Sequence, residues 1–177
     1  ARVTERRRLR ADAPYARHIR LNIAGSGIHY RAGGTLYLQP ENDADLLAAI
    51  STWLGCSDAA DALRSRELRQ IRKTTLRELA KLSGSDELKA LLKISQRKVL
   101  EACLYGADLL DVLEDFCSPA SVPLEALAEI LSPCLPRAYS IASCANDQVV
   151  DLCVREVCYE RGGRQRNGVA TGWLLGD

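Results

Sequence analysis

An α+β fold is what this sequence predicts, with antiparallel strands at both ends of the chain and a block of helices between them. Three observations carry that expectation. Ile19, Leu21 and Ile23 alternate with polar neighbours, the two-residue period of a half-buried strand. Beyond Pro40 the period changes, and Leu46, Leu47, Ile50, Trp53 and Leu54 recur at helical spacing. Strand-like stretches then return at Arg137–Ser143 and Val149–Glu160.

The elements follow in order. Residues 1–10 hold Arg2, Arg6, Arg7, Arg8 and Arg10 with Val3 and Leu9 as apolar points, a strand with a solvated basic face. Asp12-Ala13-Pro14 breaks the chain, and Ala16–Ile23 is the second strand, with His18 on its wetter side. Gly25-Ser26-Gly27 turns the chain into a third strand from about Ile28 to Leu38, interrupted at Gly33-Gly34. Three strands joined by short turns predict an antiparallel barrel or sandwich. Asn42 or Asp43 can cap the first helix, which ends at Gly55. Further helices are expected over Ser65–Leu82, Glu87–Leu104, Asp108–Phe116 and Pro123–Leu131, with Ser83-Gly84-Ser85-Asp86 as a stop and a new cap. Ser132-Pro133 ends the block. Cys144-Ala145-Asn146-Asp147 reads as a turn, Val149–Glu160 as one long strand, and Arg161-Gly162-Gly163-Arg164 as a hairpin-like loop.

Composition narrows the function classes. The 177 residues suffice for one ordinary core, or for a small barrel with a helical insert. Lysine plus arginine number 24 against 23 acidic residues, so net charge indicates neither nucleic acid nor an anionic membrane as partner. Aromatics do not interleave with the basic residues of 1–10 in the way of a nucleic-acid arm. No apolar run approaches the roughly 20 residues that cross a bilayer, and the opening residues do not form a signal peptide. The seven cysteines are odd in number and dispersed. That fits reduced thiols and a cytoplasmic setting better than a disulfide framework. With two histidines, neither near a cysteine pair, no metal site is expected. No residue has the setting of a general base or nucleophile.

Two stretches carry the chemistry. Pro136-Arg137-Ala138-Tyr139-Ser140-Ile141-Ala142-Ser143 reads as a short strand that puts a cation, a ring and a hydroxyl within four positions. Arg137 and Tyr139 share one face, Ala138 and Ser140 the other. Such a set suits a ligand with a phosphate at one end and a flat ring at the other. In Asn167-Gly168-Val169-Ala170-Thr171-Gly172-Trp173-Leu174-Leu175, a glycine opens a short apolar helix with a threonine in its first turn. Free N–H groups at such a start attract an anion.

Together, Arg-x-Tyr-Ser followed by Gly-Val-Ala-Thr resembles the FAD-binding module of the diflavin reductases, and within them more closely the bacterial sulfite reductase flavoproteins. Arg17-His18-Ile19-Arg20-Leu21, Gly25–Gly33 and Pro40-Glu41-Asn42-Asp43 look like the family's opening strands, and Leu135–Ser143 like its flavin strand. The likeness is strong at both ends of the chain and weak from about Leu54 to Leu104. It implies an antiparallel Greek-key FAD-binding β-barrel of the ferredoxin-reductase type, formed by 1–41 and 133–177, with an inserted all-helical connecting subdomain over 42–132. That subdomain would orient an FMN-bearing, flavodoxin-like module against FAD. By the same resemblance Tyr139 stacks on the flavin and Ser140 lies near its reactive nitrogen. Arg137, with Ala138 beside it, pairs with the pyrophosphate. Gly168, Val169, Ala170 and Thr171 form the phosphate cradle. Cys153, Val154 and Arg155 line the ring, and Tyr159 contacts the cofactor. Electrons would pass from NADPH through FAD and FMN to a haemoprotein acceptor of the sulfite reductase type, in cysteine biosynthesis. In relatives a Gly-Asp like Gly176-Asp177 leads into a further barrel strand and the NADPH-binding domain. The chain is therefore read as a piece of a longer protein, with a barrel edge unpaired.

The chain departs from the family at three places. Gly33-Gly34 stands where relatives have Gly-Asp, Arg155 where they have a small or apolar residue, and Arg69 where the sulfite reductase relatives have a cofactor-contacting threonine. Other readings are a flavin-free interaction module, or the reductase module of a nitrate-reducing or other electron-transfer system. A single-flavin, ferredoxin-reductase-like enzyme is disfavoured by the long helical insert.

Overall fold

The computed structural model describes residues 1–12, 15–145 and 148–176. Ala13-Pro14 of the expected break, Asn146-Asp147 of the expected turn, and Asp177 lie outside the described residues. Among the described residues there are seven strands: β1 (Arg2–Arg8), β2 (Ala16–Asn22), β3 (Thr35–Leu38), β4 (Arg137–Ser140), β5 (Val149–Arg155), β6 (Cys158–Arg161) and β7 (Arg164–Asn167). The helices are α1 (Ala44–Leu54), α2 (Ala59–Leu63), α3 (Lys73–Ser83), α4 (Asp86–Leu91), α5 (Arg97–Leu104), α6 (Leu109–Phe116), α7 (Leu124–Ile130) and α8 (Val169–Leu175). The chain divides into two compact units, 1–40 with 136–177, and 41–135.

In the strand-bearing unit, β1, β2 and β5 form one antiparallel sheet in that order, while β3–β4 and β6–β7 are separate two-stranded ladders. The expected barrel is therefore not formed: among the described residues no sheet closes on itself. The physical reasons are local. Pro40 and Pro136 stand just outside the β3–β4 ladder, where a missing N–H ends pairing. Among the described residues a single bridge, Ile141 to Leu152, links the β4 segment to β5. The expected long strand is two strands: Glu156 N–H still pairs in register with the Tyr15 carbonyl at 2.9 Å, and from Cys158 the chain pairs with β7 instead of β2. Residues 28–34 form no ladder, and the third strand is reduced to its last four residues.

Ile19, Leu21, Ile23, Ile141, Val150, Leu152, Val154 and Leu174 make this unit's core. A bulge between Val3 and Glu5 resets β1 so that Arg6 lies opposite Ile19. Arg6 then reaches the end of α8. Its Nε donates to the Leu174 carbonyl at 2.8 Å, and its Nη2 donates to the Gly176 carbonyl. A cation at the carbonyl end of a helix complements the helix dipole.

In the helical unit, Leu63, Leu68, Leu76, Leu79, Leu88, Leu109, Leu113 and Leu127 are fully buried. Each contributes on the order of 1.5–3 kcal/mol by leaving water. Asp43 caps α1 by accepting from Leu46 N–H at 3.0 Å, and Gly55 closes the helix in the left-handed conformation. Asn42 does a different job. It is buried, and its Nδ2 donates to the carbonyls of Leu63, Arg64 and Arg66 at 3.0, 3.1 and 2.6 Å. The expected helix from Ser65 begins only at Lys73. Residues 65–68 instead run beside 132–134, with Glu67 N–H to Ser132 and Cys134 N–H to Ser65 at 2.8 and 2.7 Å. The expected helix over 87–104 is two helices, split around a short 3₁₀ turn at Ile94–Gln96.

Candidate functional site

β4 carries the first stretch. It pairs antiparallel with β3, setting Leu38 opposite Arg137, Tyr37 opposite Ala138, Leu36 opposite Tyr139 and Thr35 opposite Ser140. The faces divide as the strand period requires. Arg137 and Tyr139 are half-buried, with Tyr139 packed against the core, while Ala138 and Ser140 are exposed. Tyr37, opposite Ala138, adds an exposed ring to that open face. Burial pushes the Tyr139 phenol above its ordinary pKa, and the nearby Arg137 charge offsets part of that rise.

The bridge between Ile141 and Leu152 brings β5 alongside, and Ala142 N–H donates to the Asp151 carbonyl at 2.8 Å. In an antiparallel pair the next residues on one side are Ser140 and Cys153. Both are exposed, whereas Ile141, Leu152 and Val154 are buried. Ser140 and Cys153 thus share one open face. Arg155, two residues beyond Cys153, is on it too and is exposed, so its charge stays in water rather than in the core.

The second group lies at the base of the β6–β7 hairpin. Gly162 and Gly163, both at positive φ, make its two-residue turn, and Tyr159 pairs with Arg166. A shallow recess of about 430 Å³ is lined by Cys158, Tyr159, Glu160, Gly163 and Gln165. Gly168 N–H donates to the Val157 carbonyl at 2.8 Å, which sets the start of α8 beside the residue that precedes β6. A side chain at Gly168 would meet Thr171 Oγ1 at 2.7 Å and Val157 Cβ at 2.9 Å. No side chain caps the first turn of α8. Val169 is half-buried, and Ala170 and Thr171 are buried. The Thr171 hydroxyl turns back toward the Gly168 carbonyl at 3.4 Å.

The structure thus sets Ser140 of the β4 stretch beside Cys153 of β5, while Tyr159 pairs with Arg166 and Gly168 is bonded to Val157 at the open end of the same hairpin. It assigns Arg69 elsewhere. The Arg69 guanidinium meets the fully buried Asp108 carboxylate at 3.2 Å within the helical unit.

Sequence reasoning missed a cluster on the outer face of the β1–β2–β5 sheet. His18, read as a surface imidazole, has a side chain only 15% exposed, with Nε2 3.3 Å from Asp151 Oδ1 and Nδ1 3.6 Å from Glu5 Oε1. Arg20 holds the same Asp151. The signal was the strand period, which sets His18 and Arg20 on one face; of their acidic partners Glu5 comes from the preceding strand and Asp151 from one distant in sequence. Tyr30 was missed as well. Its hydroxyl lies 2.7 Å from Ser143 Oγ.

The FAD binding domain family matches residues 68–173. The sulfite reductase (NADPH) flavoprotein alpha-component of Bacillus subtilis (strain 168) is 33% identical over 172 residues, covering 88% of this chain and 28% of that protein. The protein of the same description from Mannheimia succiniciproducens is 34% identical over 180 residues, covering 93% and 30%. That of Neisseria meningitidis (strain Z2491) is 33% identical over 173 residues, covering 89% and 28%. The chain spans less than a third of the length of these relatives. With the family match covering more than half of its residues, this chain belongs to the FAD binding domain family.

Proposed function

We propose that this chain is the FAD-bearing portion of an NADPH-dependent diflavin reductase. The observation that carries the reading is the open face on which Ser140 stands beside Cys153, backed by Arg137 and Tyr139 on the same short strand. The residues fit the cofactor in kind. Arg137 supplies a cation for a pyrophosphate, Tyr139 a ring for a flat heterocycle, and Ser140 a hydroxyl able to donate or accept at a ring nitrogen. Cys153, Val154 and Arg155 offer the β5 backbone along one side, and Tyr159 a second ring. Gly168, Val169, Ala170 and Thr171 offer amides at a helix start that no side chain caps. Ala138, small and exposed, leaves room on the open face.

FAD, when bound, supplies two-electron acceptance and stepwise release. The chain's own residues bind it, orient it and set the polarity around it. In the full-length protein, an FMN-binding flavodoxin-like module and an NADPH-binding domain complete the path to a sulfite-reductase-type haemoprotein. The NADPH and sulfite reductase parts of that assignment draw on the names of the relatives, and the FMN-bearing module and haemoprotein on the resemblance of the motifs. Among the described residues no helix is long and apolar enough to cross a membrane.

The test is to purify the 177-residue chain, record its visible absorbance and identify any released flavin. The reading expects bound FAD that is lost on replacing Arg137 and Tyr139 together by alanine. A chain that stays colourless with added FAD, and a longer chain with the following domain that also stays colourless, would leave only an interaction module.

A further inference from the structure

We propose that Tyr30 is the positioning residue for the open face of β4, acting through Ser143 without touching the cofactor; the proposal rests on the FAD reading above. The Tyr30 hydroxyl lies 2.7 Å from each of three partners: Ser143 Oγ, the Cys144 carbonyl and the Val149 carbonyl. A phenol has one proton to give. That proton serves the two carbonyls, so Ser143 donates to the phenol oxygen. Ser143 Oγ in turn accepts from Asp151 N–H at 3.1 Å. One chain of hydrogen bonds therefore runs from the β5 backbone through Ser143 to Tyr30 and ends on both sides of the β4–β5 connection. In such a chain each bond polarises the next.

Its location gives it a function. Asp151, whose N–H opens the chain, also accepts through its carbonyl from Ala142 N–H at 2.8 Å. The adjacent pair is the Ile141–Leu152 bridge, the one bridge joining the β4 segment to β5 among the described residues. One step beyond it are Ser140 and Cys153. Tyr30 itself belongs to the segment 28–34, which has no ladder of its own, and its ring packs against the core. Without the hydroxyl, the placement of Ser140 beside Cys153 depends on that bridge, the Ala142 bond and a Ser143 hydroxyl no longer anchored to residue 30.

Tyr30→Phe keeps the ring and removes the hydroxyl. Amide exchange at Ala142 and Asp151 is expected to quicken about tenfold, as is FAD dissociation from the 177-residue chain at equilibrium, on the scale of one ordinary hydrogen bond. The fine structure of the bound flavin's visible band is expected to blur. Leu127→Ala, a core truncation in the helical unit, serves as control: it lowers the melting temperature and leaves the band shape and those two amides unchanged. If Tyr30→Phe does not fold, Ser143→Ala cuts the same chain and is expected to act alike. Unchanged exchange at Ala142 and Asp151 overturns the proposal. So does quickened exchange with wild-type FAD affinity and spectrum. A wild-type chain that takes up no FAD overturns the FAD reading itself, and is told apart because it fails before any substitution is made.

Discussion

Arg20 grips Asp151 with two parallel bonds, Nε to Oδ1 at 2.7 Å and Nη2 to Oδ2 at 2.9 Å. The residues face each other across β2 and β5, so the pair ties the middle strand of the sheet to the strand that runs into the candidate site. Bidentate pairing of this kind is the strong form of a charged hydrogen bond.

The pair predicts an acid limit to stability. The Arg20 bond lowers the Asp151 pKa below the ordinary carboxylate value, burial opposes it, and the charges of Arg20 and His18 add to the lowering. An unfolded aspartate titrates near 3.9. A depressed folded value means the contribution is present above about pH 4 and is lost as pH falls through the folded value. Asp151→Asn is expected to melt lower than wild type at pH 7 and to lose less on acidification below about pH 4. Equal pH dependence of the two melting curves would contradict this.

Arg137 and Tyr139 predict a titration. Burial raises the phenol and the Arg137 cation holds it down. Arg137→Ala should therefore raise the Tyr139 pKa further. The phenolate absorbance of each protein, less that of its Tyr139→Phe counterpart, isolates the group. A fall, or no change, would mean that the guanidinium does not act on this ring.

Gly168 predicts a steric penalty. The first atom of any side chain would lie 2.9 Å from Val157 Cβ, which is fixed to the backbone of a neighbouring segment. Gly168→Ala is expected to cost about 1–3 kcal/mol in chemical denaturation, the usual range for overpacking, and to weaken FAD uptake as the start of α8 moves. Wild-type stability would show that the segment yields freely.

Asp108 predicts the largest loss in the helical unit. It has no exposed surface, caps α6 by accepting from Asp111 N–H at 3.1 Å, and faces Arg69 at 3.2 Å. Asp108→Ala leaves a largely buried guanidinium without this partner and is expected to cost about 3–5 kcal/mol. Asp108→Asn keeps a good cap and should fall between. A smaller loss for alanine than for asparagine would count against the capping role.

Local rules made much of this structure legible. Alternation at Ile19, Leu21 and Ile23 located β2, and Asp43, Gly55, Gly84 and Ser85 marked helix ends where cap and left-handed positions occur. The misses are places where a distant partner overrides local preference. Residues 65–68 carry helix-forming side chains but are held extended beside 132–134 and by Asn42. The expected long strand divides at Glu156-Val157 because the residues before it pair with β2, more than a hundred residues earlier, and those after it pair with β7. Barrel closure came from resemblance, and a three-stranded sheet with two separate two-stranded ladders replaces it. At the candidate site, Arg137–Ser140 was visible as a motif, but its neighbour Cys153 is set by one bridge that periodicity cannot reveal.

The pairing of Leu38 with Arg137 has a consequence for how the chain folds. β3 and β4 are a hairpin whose loop is the whole helical unit, roughly a hundred residues long. Closing a flexible loop of that length costs about 4 kcal/mol in chain entropy, (3/2)RT ln n before its constant. A four-residue ladder is poorly placed to offset that alone. If the insert collapses first and fixes its ends near each other, most of the cost is met by leucine burial instead. A helical-core change such as Leu79→Ala would then slow the formation of the β3–β4 ladder as well as loosen the helices, and refolding kinetics followed at both units would show the order.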